Sequence, residues 1–216
     1  DAAALAKQQA EIDFRNSGES RRYTWDYDEE YEIFEYDLES KKYTNLTGVK
    51  GYDAEGAYSP DGKEIAYIEE RTAIKVLNLA SKKTRIVMTS DKNYSYSDGD
   101  QHFSWSPDSK WLLVEFLQDR QWITQCGLVD VAGGKDVVNL TQSGYGSFGP
   151  EWAMDGKMMI YGSDRDGMKN HGSWGGESDV YAMYFSKAAF DQYKLDEEEY
   201  ELTKEDDEEE DALTAN

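Results

Sequence analysis

The sequence predicts an all-β fold, a β-propeller of about three and a half four-stranded blades. Three observations lead to this prediction. A hairpin motif occurs three times, four strand-like segments make up each complete repeat, and helical periodicity is confined to DAAALAKQQAEI and SKAAFDQYKL. A repeat of roughly 40 to 50 residues is typical of propellers and other repeat architectures.

The recurring motif begins as YSPDGKEIAYIEE at Tyr58 and returns as WSPDSKWLLVEF and WAMDGKMMIYGS. Asp61, Asp108 and Asp155 occupy the same place in the three copies, 47 residues apart. An aromatic residue stands before each turn, and an aliphatic and aromatic run typical of strands follows it. Because Pro, Asp and Gly each favour chain reversal, every copy predicts a β-hairpin.

Two further strand-like segments follow each hairpin. The third strands are AIKVLNL, CGLVDV and DVYAMYF, and the fourth strands are TRIVM, VVNLT and YELT. A four-stranded unit cannot bury both of its faces alone, whereas units stacked face to face around an axis can. Residues 31–47 match only the third and fourth strands of such a unit, and RRYTWDY before them would supply a second strand.

The pattern divides the chain into six segments. They are an N-terminal helical or flexible segment at 1–22, an incomplete blade at 23–50, blades at 51–90 and 91–143, a blade with a long insertion and a short helix at 144–204, and an acidic tail or linker at 205–216. Thirteen of the carboxylates lie between residues 191 and 211. We interpret this run as solvated chain, while an acidic lure for a basic partner or a loose calcium site stays open.

Composition restricts the chemistry. The net charge of −22 argues against nucleic-acid binding, because phosphates require Lys and Arg. No apolar run approaches the roughly 20 residues that span a bilayer, so we expect no membrane insertion. The single cysteine, Cys126, lies in an apolar strand, where a buried inert thiol is expected. GYGSFG at 144–149 matches the Gly-x-Gly-x-x-Gly pattern of dinucleotide-binding loops, but it lies between two predicted strands and has no helix whose amides would bind a pyrophosphate. We therefore predict no catalytic residue, metal or cofactor in this chain.

The segment 163–185 interrupts the last blade between its second and third strands. In an up-and-down blade, this loop emerges on the same face as the connection to the next blade. The connection 89–100, the turn 118–122 and the insertion 163–178 should therefore share a face. The binding residues predicted on it are Tyr94, Tyr96, Trp122, Arg165, His171 and Trp174. Aromatic rings suit docking, although these rings could instead pack on each other to stabilise the loops.

The SPDGK-type hairpins followed by an LT strand resemble the blades of TolB and other bacterial propellers. The combination of DRDGMKNHGSWGGESDVYAMYF with SKAAFDQYKLDEEEYELTKE resembles the end of the first propeller in tricorn-type serine proteases, and the resemblance covers roughly residues 25–204. It implies a peptidase with two propellers, a PDZ-like module and a C-terminal catalytic domain. No segment here corresponds to that domain. Because the first propeller of that family has about six blades, the resemblance implies that the blades of this chain form an open arc of a six-bladed propeller. The resemblance also favours a periplasmic or otherwise exported protein over a cytoplasmic one.

We therefore expect a non-catalytic propeller part of a tricorn-like serine peptidase, with a role in peptide access or gating and in domain assembly. The alternative is a TolB-like protein-interaction propeller without a peptidase domain. A propeller glycosidase or lyase would need acid and base residues near the axis, and the aromatic residues of the first strands do not supply them. The expected partners are the remaining domains of the parent chain or a peptide substrate. Open blade edges would also allow self-association.

Overall fold

The computed structural model describes residues 2–19, 31–48, 51–94, 102–118, 122–168 and 176–203. Within these ranges the chain is mostly β, with four antiparallel sheets, the two predicted helices α1 (Ala2–Ser17) and α2 (Lys187–Tyr193), and a further helical segment at 197–203. The Ser186 hydroxyl caps α2 by accepting a hydrogen bond from the backbone N–H of Ala189 (3.1 Å). No helix in the described ranges is long and apolar enough to cross a membrane.

Strands that follow each other in the chain pair as antiparallel neighbours. The first sheet contains β1 (Phe34–Tyr36) and β2 (Tyr43–Asn45). The second sheet contains β3 (Asp53–Tyr58), β4 (Glu64–Glu69), β5 (Ala73–Asn78) and β6 (Thr84–Met88). The third sheet contains β7 (Phe103–Trp105), β8 (Trp111–Leu117), β9 (Thr124–Asp130) and β10 (Val138–Asn139). The fourth sheet contains β11 (Ser147–Ala153), β12 (Met158–Ser163) and β13 (Asp179–Tyr184). The second and third sheets are four-stranded antiparallel units, as the repeat predicts. The predicted strand RRYTWDY lies outside the described residues.

The predicted strand YELT, at 200–203, is wrong, because residues 197–203 are helical. The Asp196 carboxylate accepts a hydrogen bond from the backbone N–H of Glu199 (2.9 Å), and the Glu199 carboxylate accepts one from the backbone N–H of Asp196 (3.2 Å). This reciprocal pair is a capping box, which starts a helix. Acidic side chains in the first turn also interact favourably with the helix dipole. Within the described ranges the fourth sheet therefore has three strands.

A buried serine organises the turn between the first and second strands. The Ser59 hydroxyl donates to the Asp61 carboxylate (2.8 Å) and accepts from the backbone N–H of Glu64 (3.0 Å). Ser106 makes the equivalent two hydrogen bonds in the third sheet. Gly62 completes the first turn with φ of +70°, in the left-handed region that glycine tolerates. The recurring S-P-D motif thus encodes a turn whose buried hydroxyl has its partners.

Adjacent sheets pack face to face, and the alternation of side chains along β8 divides them between two cores. Leu112 and Val114 pack against the second sheet, whereas Leu113 packs against Met159 of the fourth sheet. The core between the second and third sheets contains Ala66, Ile74, Val76, Val87, Met88, Leu112, Val114, Phe116, Val129 and Val131. Because both of its faces are buried, β8 is an almost continuous apolar run.

The same alternation holds at each repeat. Ile65, Leu112 and Met159 face the preceding sheet, while Ala66 and Leu113, one residue later, face the following sheet. Each repeat therefore contributes one half of two different cores.

The outer face of the fourth sheet is only partly covered. Ile160, the counterpart of Leu113, is 37% exposed, and Val180 is 79% exposed. At one end of this face, Tyr184 packs against Phe190 and Tyr193 of α2, with ring centroids 5.1 and 5.3 Å apart. The described sheets thus form part of a propeller with an apolar surface at its last sheet.

Candidate functional site

Tyr94 and Trp122 lie together on two loops beside the third sheet. Tyr94 follows a 3₁₀ turn at Ser90–Lys92, after the second sheet, and Trp122 precedes β9. Their ring centroids are 4.8 Å apart with planes inclined at 70°, an edge-to-face arrangement that aromatic pairs favour. Both side chains are nevertheless exposed, to 50% and 69% respectively. We call this aromatic pair and the cavity below it the loop-face site.

The cavity of the loop-face site has a volume of about 210 Å³. It is lined by Asn93, Tyr94, Glu115, Phe116, Leu117, Trp122 and Thr124. The side-chain Oδ1 of Asn93 accepts a hydrogen bond from the backbone N–H of Tyr94 (2.7 Å). Its buried amide Nδ2 has no acceptor among the described residues. Buried donors usually have a partner, so this amide is suited to a ligand carbonyl.

One ion pair joins the loop that carries Tyr94 to the loop between β9 and β10. The ammonium of Lys92 lies 3.3 Å from the carboxylate of Asp136, which belongs to the second of these loops. Partly exposed pairs of this kind contribute little to overall stability.

The other residues predicted for this face are placed differently. Arg165 is exposed just after β12, where its backbone N–H donates to the Ser163 hydroxyl (3.3 Å), and it does not line the cavity. Tyr96, His171 and Trp174 lie outside the described residues, so their part in the site stays a prediction.

The first strands of neighbouring sheets are joined by indole hydrogen bonds. The Trp105 Nε1–H donates to the carbonyl of Ala57 (3.1 Å), and the Trp152 Nε1–H donates to the carbonyl of Ser104 (3.0 Å). In the third and fourth sheets the aromatic residue before the Asp turn therefore links its own sheet to the preceding one. Each bond also satisfies an indole N–H that burial would otherwise leave without a partner.

A polar cluster between β7 and β11 was not predicted. The Glu151 carboxylate accepts a hydrogen bond from the Ser104 hydroxyl (2.8 Å) and lies 3.1 Å from the Nε2 of His102. The sequence feature that could have indicated this cluster is the 47-residue spacing of Ser104 and Glu151, which gives them equivalent positions in neighbouring repeats. Both the hydroxyl and the imidazole contact the carboxylate, and no hydrogen bond joins Ser104 to His102, both of which are described. The Ser104 hydroxyl therefore donates to a carboxylate rather than to the imidazole.

Glu115 lies beside this cluster, where its carboxylate accepts a hydrogen bond from the backbone N–H of Gly149 (2.6 Å). Burial raises the pKa of Glu115, and the Gly149 N–H and the charge of His102 partly oppose that rise. Among the described residues, no three His, Cys, Asp or Glu side chains come close enough to hold a metal ion.

The thiol of Cys126 is buried, as predicted. Burial, followed by the nearby charge of Glu115, raises the pKa of Cys126 to about 12. Since the thiolate is the reactive form, this cysteine is unreactive at neutral pH.

The first Asp turn makes stability depend on pH. Hydrogen bonds from the Lys63 side chain and the Ser59 hydroxyl lower the pKa of Asp61 to about 2. A carboxyl whose folded pKa is lowered stabilises the fold above its unfolded pKa of about 3.9, and the contribution is lost as pH falls toward 2. We expect the free energy of unfolding of Asp61→Asn, measured with urea, to fall less steeply than that of the parent between pH 4 and 2. Burial raises the pKa of Asp53 and acts in the opposite direction, so only the difference between the two proteins is informative. Parallel pH curves would contradict this assignment.

No protein-family model matches the chain, and no curated protein sequence matches it. Solved structures do resemble it. TolB from Acinetobacter baumannii is 21% identical with a TM-score of 0.50, and the match covers 73% of this chain and 36% of that one. The tricorn protease is 16% identical with a TM-score of 0.52, covering 70% of this chain and 15% of that one. An oligogalacturonate lyase from Vibrio parahaemolyticus is 16% identical with a TM-score of 0.52, covering 69% and 45%.

These likenesses, together with the stacked antiparallel sheets, confirm a β-propeller fold with TolB-like blades. The described sheets are a partial arc of such a propeller. The chain spans less than half the length of each of these three proteins.

Proposed function

We propose that this chain is a non-catalytic propeller segment that binds an extended peptide or a neighbouring protein domain at the loop-face site. The observation that carries the proposal is the exposed Tyr94–Trp122 pair above a cavity lined by Asn93, whose amide has no acceptor within the part of the chain that the structure describes. Aromatic residues with one buried polar donor are typical of contact surfaces.

The size of the cavity supports recognition of one side chain rather than of a whole small molecule. Its volume of about 210 Å³ is below the 300–1,000 Å³ of ordinary ligand pockets. An apolar peptide side chain would fill it against Phe116 while a backbone carbonyl of the same peptide accepts from the Asn93 amide. The two exposed rings would then cover the peptide from outside.

Two contexts for this binding are carried forward. The first is a propeller of a tricorn-like serine peptidase, where the loop-face site would contribute to peptide access or gating and to domain assembly. It is supported by the motifs of residues 164–185 and 186–205 and by the fold likeness to the tricorn protease. The second is a TolB-like interaction propeller without a peptidase domain, supported by the likeness to TolB.

The exposed side chains of the fourth sheet fit either context. Ile160 and Val180 present an aliphatic surface at the position where a further sheet packs in the preceding repeats. Within the proposal, this surface receives a neighbouring domain or a second copy of the chain.

A defined pool of decapeptides, incubated with the immobilised chain and quantified by mass spectrometry, tests the loop-face site. Peptides that are enriched would then be measured by fluorescence anisotropy. We expect Trp122→Ala to weaken their binding by tenfold or more, because truncation of a central aromatic contact typically costs about 2 kcal/mol. Asn93→Ala should weaken the binding of the same peptides.

Tyr43→Ala is the matched control. Tyr43 is also exposed and also packs against another ring, that of Tyr36 (4.6 Å between centroids), but it lies in the first sheet. Its substitution should leave peptide binding unchanged. Equal losses in Trp122→Ala and Tyr43→Ala, or no loss in either, would show that the peptides bind elsewhere.

A further inference from the structure

A second concave surface lies at the opposite end of the strands, between the turns of the third and fourth sheets. It has a volume of about 550 Å³. Trp111, Trp152 and Phe185 supply aromatic walls, and the carboxylates of Asp108 and Asp155 stand at its edge. Trp111 and Leu117 are the first and last residues of β8, so about 20 Å of strand separates this groove from the loop-face site. We call it the turn-face groove.

The repeat provides a direct comparison, because an equivalent place exists between the second and third sheets. There Arg85 occupies the space. Its guanidinium donates two hydrogen bonds to the Glu64 carboxylate (both 2.7 Å), and its Nε donates to the carbonyl of Val131 (2.6 Å). This arginine bridges the two sheets, and its hydrogen bonds lower the pKa of Glu64.

Each partner in that bridge is replaced in the turn-face groove. Trp111 stands 47 residues after Glu64, at the same strand position. Phe185 corresponds to Val131, since the backbone N–H of each donates to the carbonyl of the lysine that follows the Asp turn (3.0 Å in both). Val138 corresponds to Arg85, since each is paired to the third strand at equivalent register. The turn-face groove has therefore lost the internal arginine and gained aromatic walls.

We propose that the turn-face groove binds an arginine side chain from a partner peptide, which takes the place that Arg85 fills between the preceding sheets. The guanidinium would stack on the indole rings of Trp111 and Trp152, an arrangement that cation–π attraction favours. The indole of Trp152 is already held in place, because its Nε1–H donates to the carbonyl of Ser104 (3.0 Å) and its ring packs on Phe185 (5.6 Å between centroids).

Charge complementarity supports a cation as the occupant. The Asp155 carboxylate is exposed and forms no ion pair or hydrogen bond with any described residue. Asp108 already accepts from the Ser106 hydroxyl (2.6 Å) and lies 3.5 Å from the Lys110 ammonium, so Asp155 is the better partner. The net charge of −22 further attracts a basic peptide. Arginine fits better than lysine, because its planar guanidinium both stacks on rings and pairs with a carboxylate.

The test uses the ¹⁵N-labelled full chain at low salt and the peptide acetyl-Gly-Gly-Arg-Gly-Gly-amide. The indole N–H signals of Trp111 and Trp152, assigned with single Trp→Phe variants, report on the groove. We expect both signals to shift and saturate during the titration. The same peptide with citrulline, a neutral analogue of arginine with nearly the same shape, should bind at least about tenfold more weakly.

Two variants and one control locate the binding. Asp155→Asn should lower the affinity for the arginine peptide about tenfold. The double variant Trp111→Glu/Val138→Arg should abolish binding, because it recreates within the turn-face groove the ion pair that Arg85 and Glu64 form between the preceding sheets. Asp61→Asn, at the equivalent turn where Arg85 already occupies the space, should not change the affinity. The same peptide with lysine in place of arginine serves as a second comparison. The proposal would be overturned if the citrulline peptide bound as tightly as the arginine peptide, if the lysine peptide bound more tightly than the arginine peptide, or if Asp155→Asn left the affinity for the arginine peptide unchanged. Shifts confined to the indole of Trp122 would do so as well, because they would place the peptide at the loop-face site. The proposal stands independently of the loop-face function.

Discussion

Leu112→Ala and Leu113→Ala should each lower the free energy of unfolding by about 2–5 kcal/mol. Both leucines are fully buried, but they are neighbours on β8 and face different sheets. Each substitution removes three carbon atoms of the side chain and leaves a cavity between two sheets that cannot collapse freely. Urea unfolding of the two variants, followed by circular dichroism, measures the loss.

Leu38→Ala provides the control, because Leu38 is 74% exposed and its truncation should change stability by less than about 0.5 kcal/mol. A small effect for only one of the two buried leucines would mean that one face of the third sheet is not packed as described. The pair of variants therefore tests the two cores separately.

Gly127→Ala should cost about 1–3 kcal/mol through overpacking. A Cβ at Gly127 would lie 2.5 Å from Cγ2 of Val137 and 2.9 Å from the ring of Phe116. Phe116 is itself buried in the core between the second and third sheets, so its ring has little freedom to move. Thermal and urea unfolding of the purified variant measure the cost.

Gly144→Ala is the appropriate comparison. A Cβ at Gly144 meets no atom within 4 Å, and its backbone is not in the left-handed region. Alanine there should be neutral or slightly stabilising, because it reduces the freedom of the unfolded chain. If the two alanine variants unfold alike, the close packing around Gly127 is wrong.

The sequence allowed the sheets to be predicted well, because their pattern is local and periodic. Pro, Asp or Gly marks each turn, and β8 is apolar on both faces, as central strands are. The error at 200–203 has an equally local cause. YELT resembles VVNLT of the preceding repeat, but the Asp196–Glu199 capping box placed the segment in a helix. The capping motif can be recognised in the sequence, and it determined the structure of this segment more strongly than the similarity to the repeat did.

The sites were less predictable, since they depend on how neighbouring sheets meet. Topology alone placed Tyr94 and Trp122 on one face, and the structure brings their rings together. The buried amide of Asn93 could not be foreseen, because no sequence pattern shows which donor lacks an acceptor. The equivalence of Arg85 and Val138 was hidden for a different reason. They are further apart than the 47-residue period, mainly because the connection between β8 and β9 is longer than the connection between β4 and β5.

The alternation that sends Leu112 toward one sheet and Leu113 toward another has a consequence for cooperativity. A sheet in this arc has no core of its own, since its apolar side chains become buried only against a neighbour. The free energy of folding therefore resides in the boundaries between sheets and grows by one boundary with each sheet added, as in a one-dimensional chain of coupled units. A lone sheet would have no boundary and no reason to fold, whereas an interior sheet transmits any loss at one of its boundaries to the other.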